Sequence, residues 1–305
     1  MRILQLTVLC LLIFVLSGGI SYAQETILYG AVREDCGDDV PADGSLYVIN
    51  PNTGQSQLVG GPFGFEGVTA MAFLNDGRLV ATATDDIGGD LRSILIEIHP
   101  FTGQGELIGI IGNGNNPGEC GRVPGLSYDR ASDTLYGLGR LCDNNTIDRV
   151  LLEINPDTAQ ATIIGSGTGG GGAGNGLAIN DLGVIFSTPS PNLVTIDPVT
   201  GVASQVALLN PSKRVNSLDF HPVSGVLFGS HVNNNMEGEY ELVTINTENG
   251  AVDVIGDLPP CIDGLAFTPL RISLVPTLSE WGLIAMAVIL GIAGFMVIRR
   301  GKAAV

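Results

Sequence analysis

The sequence predicts an all-β fold, a five-bladed β-propeller, and three observations carry that reading. A strand-and-turn phrase occurs five times, each copy an alternating apolar run closed by a polar turn. Other strand-like pieces recur in step with it, at the spacing of about 40–55 residues typical of propeller blades. The body also opens and closes on different members of the repeat, so one blade is shared between its two ends.

The elements follow in chain order. Arg2 precedes an apolar run from Ile3 to Leu16, and Ser21-Tyr22-Ala23 places small residues where signal peptidase reads. Residues 1–23 are therefore expected to be a secretory signal cleaved after Ala23. The run is short for a membrane span, and no Cys follows it in a lipobox position. Residues 24–268 are the expected propeller.

Each repeat holds four strand-like pieces. In the copy starting at Gly125 they are Leu126–Tyr128, Thr134–Leu138, Val150–Ile154 and Ala161–Ile164. The phrase is clearest in Leu151–Thr158, where Asn155-Pro156-Asp157-Thr158 makes the turn; the other copies are Leu46–Gly54, Leu95–Gly103, Leu193–Gly201 and Leu242–Gly250. Asn or Asp opens such a turn, Pro presets φ, and Gly accepts the positive φ that ends it. First strands recur as Met71–Phe73, Leu126–Tyr128, Leu177–Ile179, Leu218–Phe220 and Leu265–Phe267. Second strands recur as Leu28–Gly30, Leu79–Ala81, Leu135–Gly137, Val184–Phe186 and Leu227–Gly229. Each strand type counts to five, which disfavours six or seven blades with degenerate copies. The body opens on a second strand, Thr26–Val32, and ends on a first strand, Gly264–Thr268. Pairing these two closes the ring and leaves no open seam. The cadence Leu-Tyr-Gly, Ile-Asn-Pro-x-Thr-Gly, Gly-Leu-Ala-Phe resembles bacterial exported propeller repeats of uncharacterised function, a resemblance that implies a fold and no chemistry.

Loop lengths sort the two faces. Links between first and second strands, and between third and fourth, are short and fall on one face. The remaining links are read as long: Arg33–Ser45, Thr84–Ser93, Ile111–Val123, Gly139–Arg149, Gly165–Gly174 and His231–Tyr240. They fall on the opposite face, and long loops on a rigid scaffold are where binding concentrates.

The residues just before each first strand should ring the channel mouth on that long-loop face. They are Thr69, Pro124, Asn175, Asn216 and Asp263, with Glu66, Arg122 and Arg214 further out. One carboxylate with two amides offers oxygen ligands for Ca²⁺. The set resembles propeller lactonases, which use acidic and Asn ligands at the channel mouth; the plainer reading is a solvated ring of turn formers. His99, His221 and His231 occupy different repeat positions and make no metal-ligand spacing. Nucleophile-elbow, zincin and phosphate-loop motifs are absent. The acidic groups Glu34-Asp35, Asp38-Asp39 and Asp85-Asp86 with Asp90 read as solvated loops, with weak Ca²⁺ binding as the alternative. A net charge of −17 argues against nucleic acid and anionic lipid as partners, since both need a basic surface.

Cys36, Cys120, Cys142 and Cys261 remain after signal removal. Four cysteines allow three pairings, and the repeat selects among them. Cys120 and Cys142 flank the first two strands of one blade at one sheet end, and Cys261 and Cys36 hold the same places in the shared blade. The expected bridges are Cys120–Cys142 and Cys36–Cys261, in an exported compartment that permits them.

Residues 269–274 read as a linker. Val275-Pro276-Thr277-Leu278-Ser279-Glu280-Trp281-Gly282 follows, then an apolar run over 283–298 and the basic group Arg299-Arg300-Gly301-Lys302. Counted from Trp281, the run makes roughly 27 Å of helix, enough for a thin bilayer. The basic end marks a cytoplasmic tail, with the propeller outside the inner membrane. This tail, residues 275–305, resembles the IPTL-CTERM sorting signal of Gram-negative bacteria, with Val275 where the family has Ile. The resemblance implies an exosortase-type processing enzyme as partner, cleavage near the motif and transfer to the cell surface; a plain single-span anchor is the alternative. The expected function is a non-catalytic surface protein that binds a glycan, matrix polymer or protein. A metal-dependent hydrolase or lactonase and a purely structural envelope component are the alternatives.

Overall fold

The computed structural model describes residues 22–32, 44–87, 90–112, 123–143, 146–165, 167–168, 176–212, 214–232, 240–274 and 290. The chain divides into two compact units, Thr26–Leu270 and Met1–Glu25 with Arg271–Val305. In the latter, β1 (Tyr22–Glu25) pairs antiparallel with β22 (Arg271–Leu274), so most of the expected linker is a strand. Cys10 and the sorting motif lie outside the described residues, as does the apolar run over 283–298 apart from Leu290. Among the described residues no helix is long and apolar enough to cross a membrane.

The larger unit is a five-bladed propeller of four-stranded antiparallel sheets. Blade 1 joins β2 (Leu28–Val32), β3 (Ser45–Ile49) and β4 (Ser56–Gly60) to β21 (Ile262–Phe267). Blade 2 is β5 (Glu66–Phe73), β6 (Leu79–Ile87), β7 (Asp90–Ile98) and β8 (Gly105–Ile110). Blade 3 is β9 (Gly125–Asp129), β10 (Thr134–Asp143), β11 (Thr146–Ile154) and β12 (Ala161–Ile164). Blade 4 is β13 (Leu177–Ile179), β14 (Ile185–Ser187), β15 (Asn192–Ile196) and β16 (Ala203–Leu208). Blade 5 is β17 (Arg214–Phe220), β18 (Leu227–Val232), β19 (Tyr240–Ile245) and β20 (Val252–Leu258). The shared blade is as the repeat phase requires: Leu28 of β2 pairs Phe267 of β21, and Gly30 pairs Leu265.

Blade faces pack on neighbouring blades, so the inner strands bury both faces and need continuous apolar runs rather than alternation. Ile94-Leu95-Ile96 in β7 is such a run, wholly buried. The described core divides into five clusters, one for each blade-to-blade junction. Leu46 and Ile96 belong to the cluster between blades 1 and 2, Leu28 and Leu242 to that between blades 5 and 1, and so on round the ring. The fourth strands are on the rim and half exposed, as in β4 and β12.

The Thr-Gly ending of the repeated turn has a packing role. A Cβ on Gly165 would lie 1.7 Å from the Thr200 carbonyl oxygen, and one on Gly256 would lie 2.2 Å from that of Thr53. Glycine in an outer strand, or just after it, lets the turn of the next blade sit against bare backbone. Gly256 and Thr53 make this contact across the junction that closes the ring.

Two of the six expected long loops are instead hairpin extensions. β6 and β7 stay paired to Ile87↔Asp90, and β10 and β11 to Asp143↔Thr146. These extensions are rich in charged and small polar residues, such as Asp85, Asp86, Asp90 and Arg92. They lack the apolar runs that betray a buried strand. His231, read as the start of a loop, is a buried member of β18.

Cys36 and Cys120 lie outside the described residues, so both disulfide pairings are proposals. Register is consistent with one of them: Val32, the last residue of β2, pairs Ile262, the neighbour of Cys261 in sequence. Non-reducing peptide mapping is expected to recover Cys36 linked to Cys261 and Cys120 to Cys142. Reduction is then expected to cost up to about 4–5 kcal/mol, the chain-entropy value for a long closed loop. Recovery of Cys36 with Cys120 or Cys142 would exclude this pairing.

Candidate functional site

The first strands β5, β9, β13, β17 and β21 each hydrogen-bond a second strand on one edge only. The other edge is bare, and its buried N–H groups need acceptors. Between β17 and β21 side chains supply them. Ser217 Oγ accepts the Leu265 N–H at 2.7 Å, and Asp219 Oδ2 accepts the Phe267 N–H at 2.6 Å. Asn216 Nδ2 donates to Asp263 Oδ1 at 2.6 Å.

At the long-loop mouth this last pair is what the structure makes of the predicted ring. Asn216 and Asp263 are buried, at 4% and 6% exposure, and Asn216 Oδ1 is buried without a hydrogen-bond partner. Glu66 is exposed at the start of β5, and its carbonyl accepts from Thr84 Oγ1 at 3.4 Å. Thr69 is half-buried, with its hydroxyl 3.4 Å from that of Thr82. Pro124 is buried, and Arg214 is half-buried at the start of β17. Asn175 and Arg122 lie outside the described residues. Among the described residues no group of three or more His, Cys, Asp or Glu side chains is placed to hold a metal ion. On the same blade, His231 Nδ1 is 2.9 Å from Glu241 Oε2.

The opposite, short-turn mouth was not anticipated. The ends of β5, β9, β13 and β17 enclose a cavity of about 270 Å³ whose lining includes Arg130 and Asp219. Arg130 Nη2 reaches the Phe267 carbonyl at 3.4 Å, while Nη1 is buried with no partner. Burial pushes the Asp219 carboxyl up to about 6, against the N–H groups of Phe267 and Phe220 and the Arg130 charge, which favour the ionised form. A sequence signal for Asp219 exists. The middle position of the first strand is Ala72, Ser127, Ala178 and Ala266 in the other blades, and only blade 5 places a charge there.

Short-turn side chains also tie blades together at this face. Arg78 bonds Asp76 at 2.7 Å and Asp157 of blade 3 at 2.8 Å. His221 Nε2 is 3.1 Å from Thr26 Oγ1, its ring stands edge-on to Phe267, and burial lowers its pKa. The Tyr128 hydroxyl donates to Asp133; burial first, then that carboxylate, pushes it up to about 12.

Residues 275–300 match the IPTL-CTERM motif. The motif implies an exported, surface-destined protein and a processing partner of the exosortase kind. An uncharacterised protein of Dictyostelium discoideum is 31% identical over 122 residues, 38% of this chain, and the match spans only 33% of that relative. Among solved structures, the PQQ-bound aldose sugar dehydrogenase of Streptomyces coelicolor is similar at 15% identity and a TM-score of 0.39, over 61% of each chain. An auxiliary nutrient binding protein of Bacteroides ovatus is similar at 10% identity and a TM-score of 0.40, over 76% of this chain and 50% of its own. Neither likeness bears on activity.

Asp219 yields a pH prediction. Its folded pKa of about 6 lies above its ordinary 3.8, so the folded state holds the proton more tightly than the unfolded chain. The stability it contributes is complete below the ordinary value and is lost as pH rises through the folded one. Asp219→Asn removes this dependence and keeps an acceptor for the Phe267 N–H. Denaturant titrations are therefore expected to show the variant gaining on the parent between about pH 4 and pH 7, by at most about 3 kcal/mol. A difference that does not change with pH would contradict the assignment.

Proposed function

We propose that the chain is a non-catalytic binding protein, sorted to the cell surface by its C-terminal motif, that takes a glycan, matrix polymer or protein on its long-loop face. The IPTL-CTERM match at residues 275–300 carries the destination. The binding role is supported by the buried Asn216–Asp263 pair at that mouth, where Asn216 Oδ1 has no hydrogen-bond partner. A buried acceptor without a partner costs free energy that a ligand donor would recover. A glycan array probed with the protein released from cells is expected to give hits that Asn216→Ala and Asp263→Ala weaken. An array with no hits would favour a structural envelope role instead.

One observation favours a second reading, a metal-dependent hydrolase or lactonase. Asn216 Oδ1 and the Asp263 carboxylate are oxygen donors of the kind Ca²⁺ takes, although the ion needs about six to eight. Under this reading calorimetry detects Ca²⁺ binding, Asp263→Ala abolishes it, and a lactone or ester panel shows turnover. Absence of Ca²⁺ binding would remove it and leave the propeller assignment intact.

The tail gives a separate prediction. The apolar run over 283–298 is proposed to hold the precursor in the inner membrane, with the propeller outside, until the processing enzyme cuts near the motif. Deleting residues 283–305 is expected to release the propeller in soluble form, and Pro276→Ala to block processing and retain it at the inner membrane. Mass spectrometry of the surface form decides. If that form still carries residues 283–298, the plain anchor is the correct description.

A further inference from the structure

The short-turn mouth holds a cavity lined by the ends of four first strands and lies on the face opposite the one assigned above. We propose that it binds a single neutral sugar ring, through hydrogen bonds from Arg130 and to the exposed carboxylate of Asp181.

Size is the first argument. At about 270 Å³ the cavity lies just below the roughly 300–1,000 Å³ of small-molecule sites. That is room for one ring and not for a chain. Its walls combine Phe73, Phe220 and Pro222 with Arg130, Asp181 and Asp219. An apolar wall with a few fixed polar groups matches a pyranose, whose C–H face is apolar and whose rim is hydroxyl.

Hydrogen-bond chemistry is the second. Arg130 Nη1 is buried and without a partner, and its neighbour Nη2 has only a long contact to the Phe267 carbonyl. A buried guanidinium N–H left unpaired is costly, and a sugar hydroxyl can accept from it. The same ligand can donate to the exposed carboxylate of Asp181.

Charge is the third. Asp129, Asp181 and Asp219 surround the single cation Arg130, in a chain of net charge −17. An anionic ligand meets repulsion there. A metal ion meets the Arg130 cation and carboxylates already engaged. Asp129 is bonded to Ala131 N and Ser132 Oγ, and Asp219 to Phe267 N and Phe220 N. What remains is a neutral molecule that both donates and accepts.

The test uses the full chain in detergent micelles and a set of methyl hexopyranosides, with methyl glucuronide as the anionic control, read by saturation-transfer NMR. At least one neutral hexoside is expected to bind at roughly millimolar strength and to receive saturation when the aromatic resonances are irradiated. Arg130→Met is expected to weaken it about tenfold or more, the loss anticipated for a bond to a charged group. Glu106→Gln, exposed on the outer strand of blade 2, is expected to leave it unchanged. If Arg130→Met does not fold, Arg130→Lys, which keeps the charge but not the paired N–H groups, is expected to show a weaker loss in the same direction. No binding of any neutral hexoside at about 50 mM would overturn the proposal. So would binding of the glucuronide alone, or binding indifferent to both Arg130 variants. Loss in Asp263→Ala but not at Arg130 would also overturn it, while upholding the long-loop reading.

Discussion

Everything in the propeller depends on the pairing of β2 with β21. These strands come from opposite ends of the body and share one sheet, with Leu28 opposite Phe267 and Ala31 opposite Gly264. Without that ladder both strands would present bare edges, which invite pairing with other chains. The clusters on either side of blade 1 would also lose buried members, because Ile262, Leu265 and Phe267 pack in one and Ala266 in the other. Both mouths need β21 as well: Asp263 lies at its start, and Phe267, which holds Asp219 and Arg130, at its end. Contacts between such distant segments exact a large loop-closure entropy before they return anything, so folding of this ring is slow by its topology.

The junction between blades 5 and 1 carries more than packing. Asn216, Ser217 and Asp219 on β17 each bond β21 at 2.6–2.7 Å, and Thr26 meets His221 at the same joint. The polar groups of the two mouths are thus also the fasteners of the closing strand. A ligand that engages Asp263 on one side or Arg130 on the other binds only the closed ring, and so stabilises it by mass action.

Much of this was legible in the sequence, and the remainder was hidden for identifiable reasons. Five copies of each strand type gave the blade number, and the mismatch between the opening and closing strands gave the shared blade. The turn phrase gave the short-turn face. The hairpin extensions at Asp85–Arg92 and Arg140–Asp148 escaped because polar strand tips carry no apolar signature. Asn216 and Asp263 were singled out from their place before a first strand; both lie within the longer strands β17 and β21, and their mutual bond and burial were not anticipated. Arg130 and Asp219 were missed for opposite reasons. Arg130 sits inside Asp129-Arg130-Ala131-Ser132-Asp133, which has the composition of any exposed turn. Asp219 sits inside an apolar strand, and only lining up the five copies shows a charge where the others have Ala or Ser.

The shared blade also sets a timetable. Chain order puts β2, β3 and β4 at the start of the propeller and β21 at its end, so blade 1 is an incomplete sheet until the whole body has been made. Blades 2 to 5 can assemble in turn as they are made, but the circle stays open until Phe267 is in place. The motif at residues 275–300 follows directly after it. The strand that completes the ring and the sorting motif are thus made almost together, and the ring is first able to shut only when the motif is about to follow.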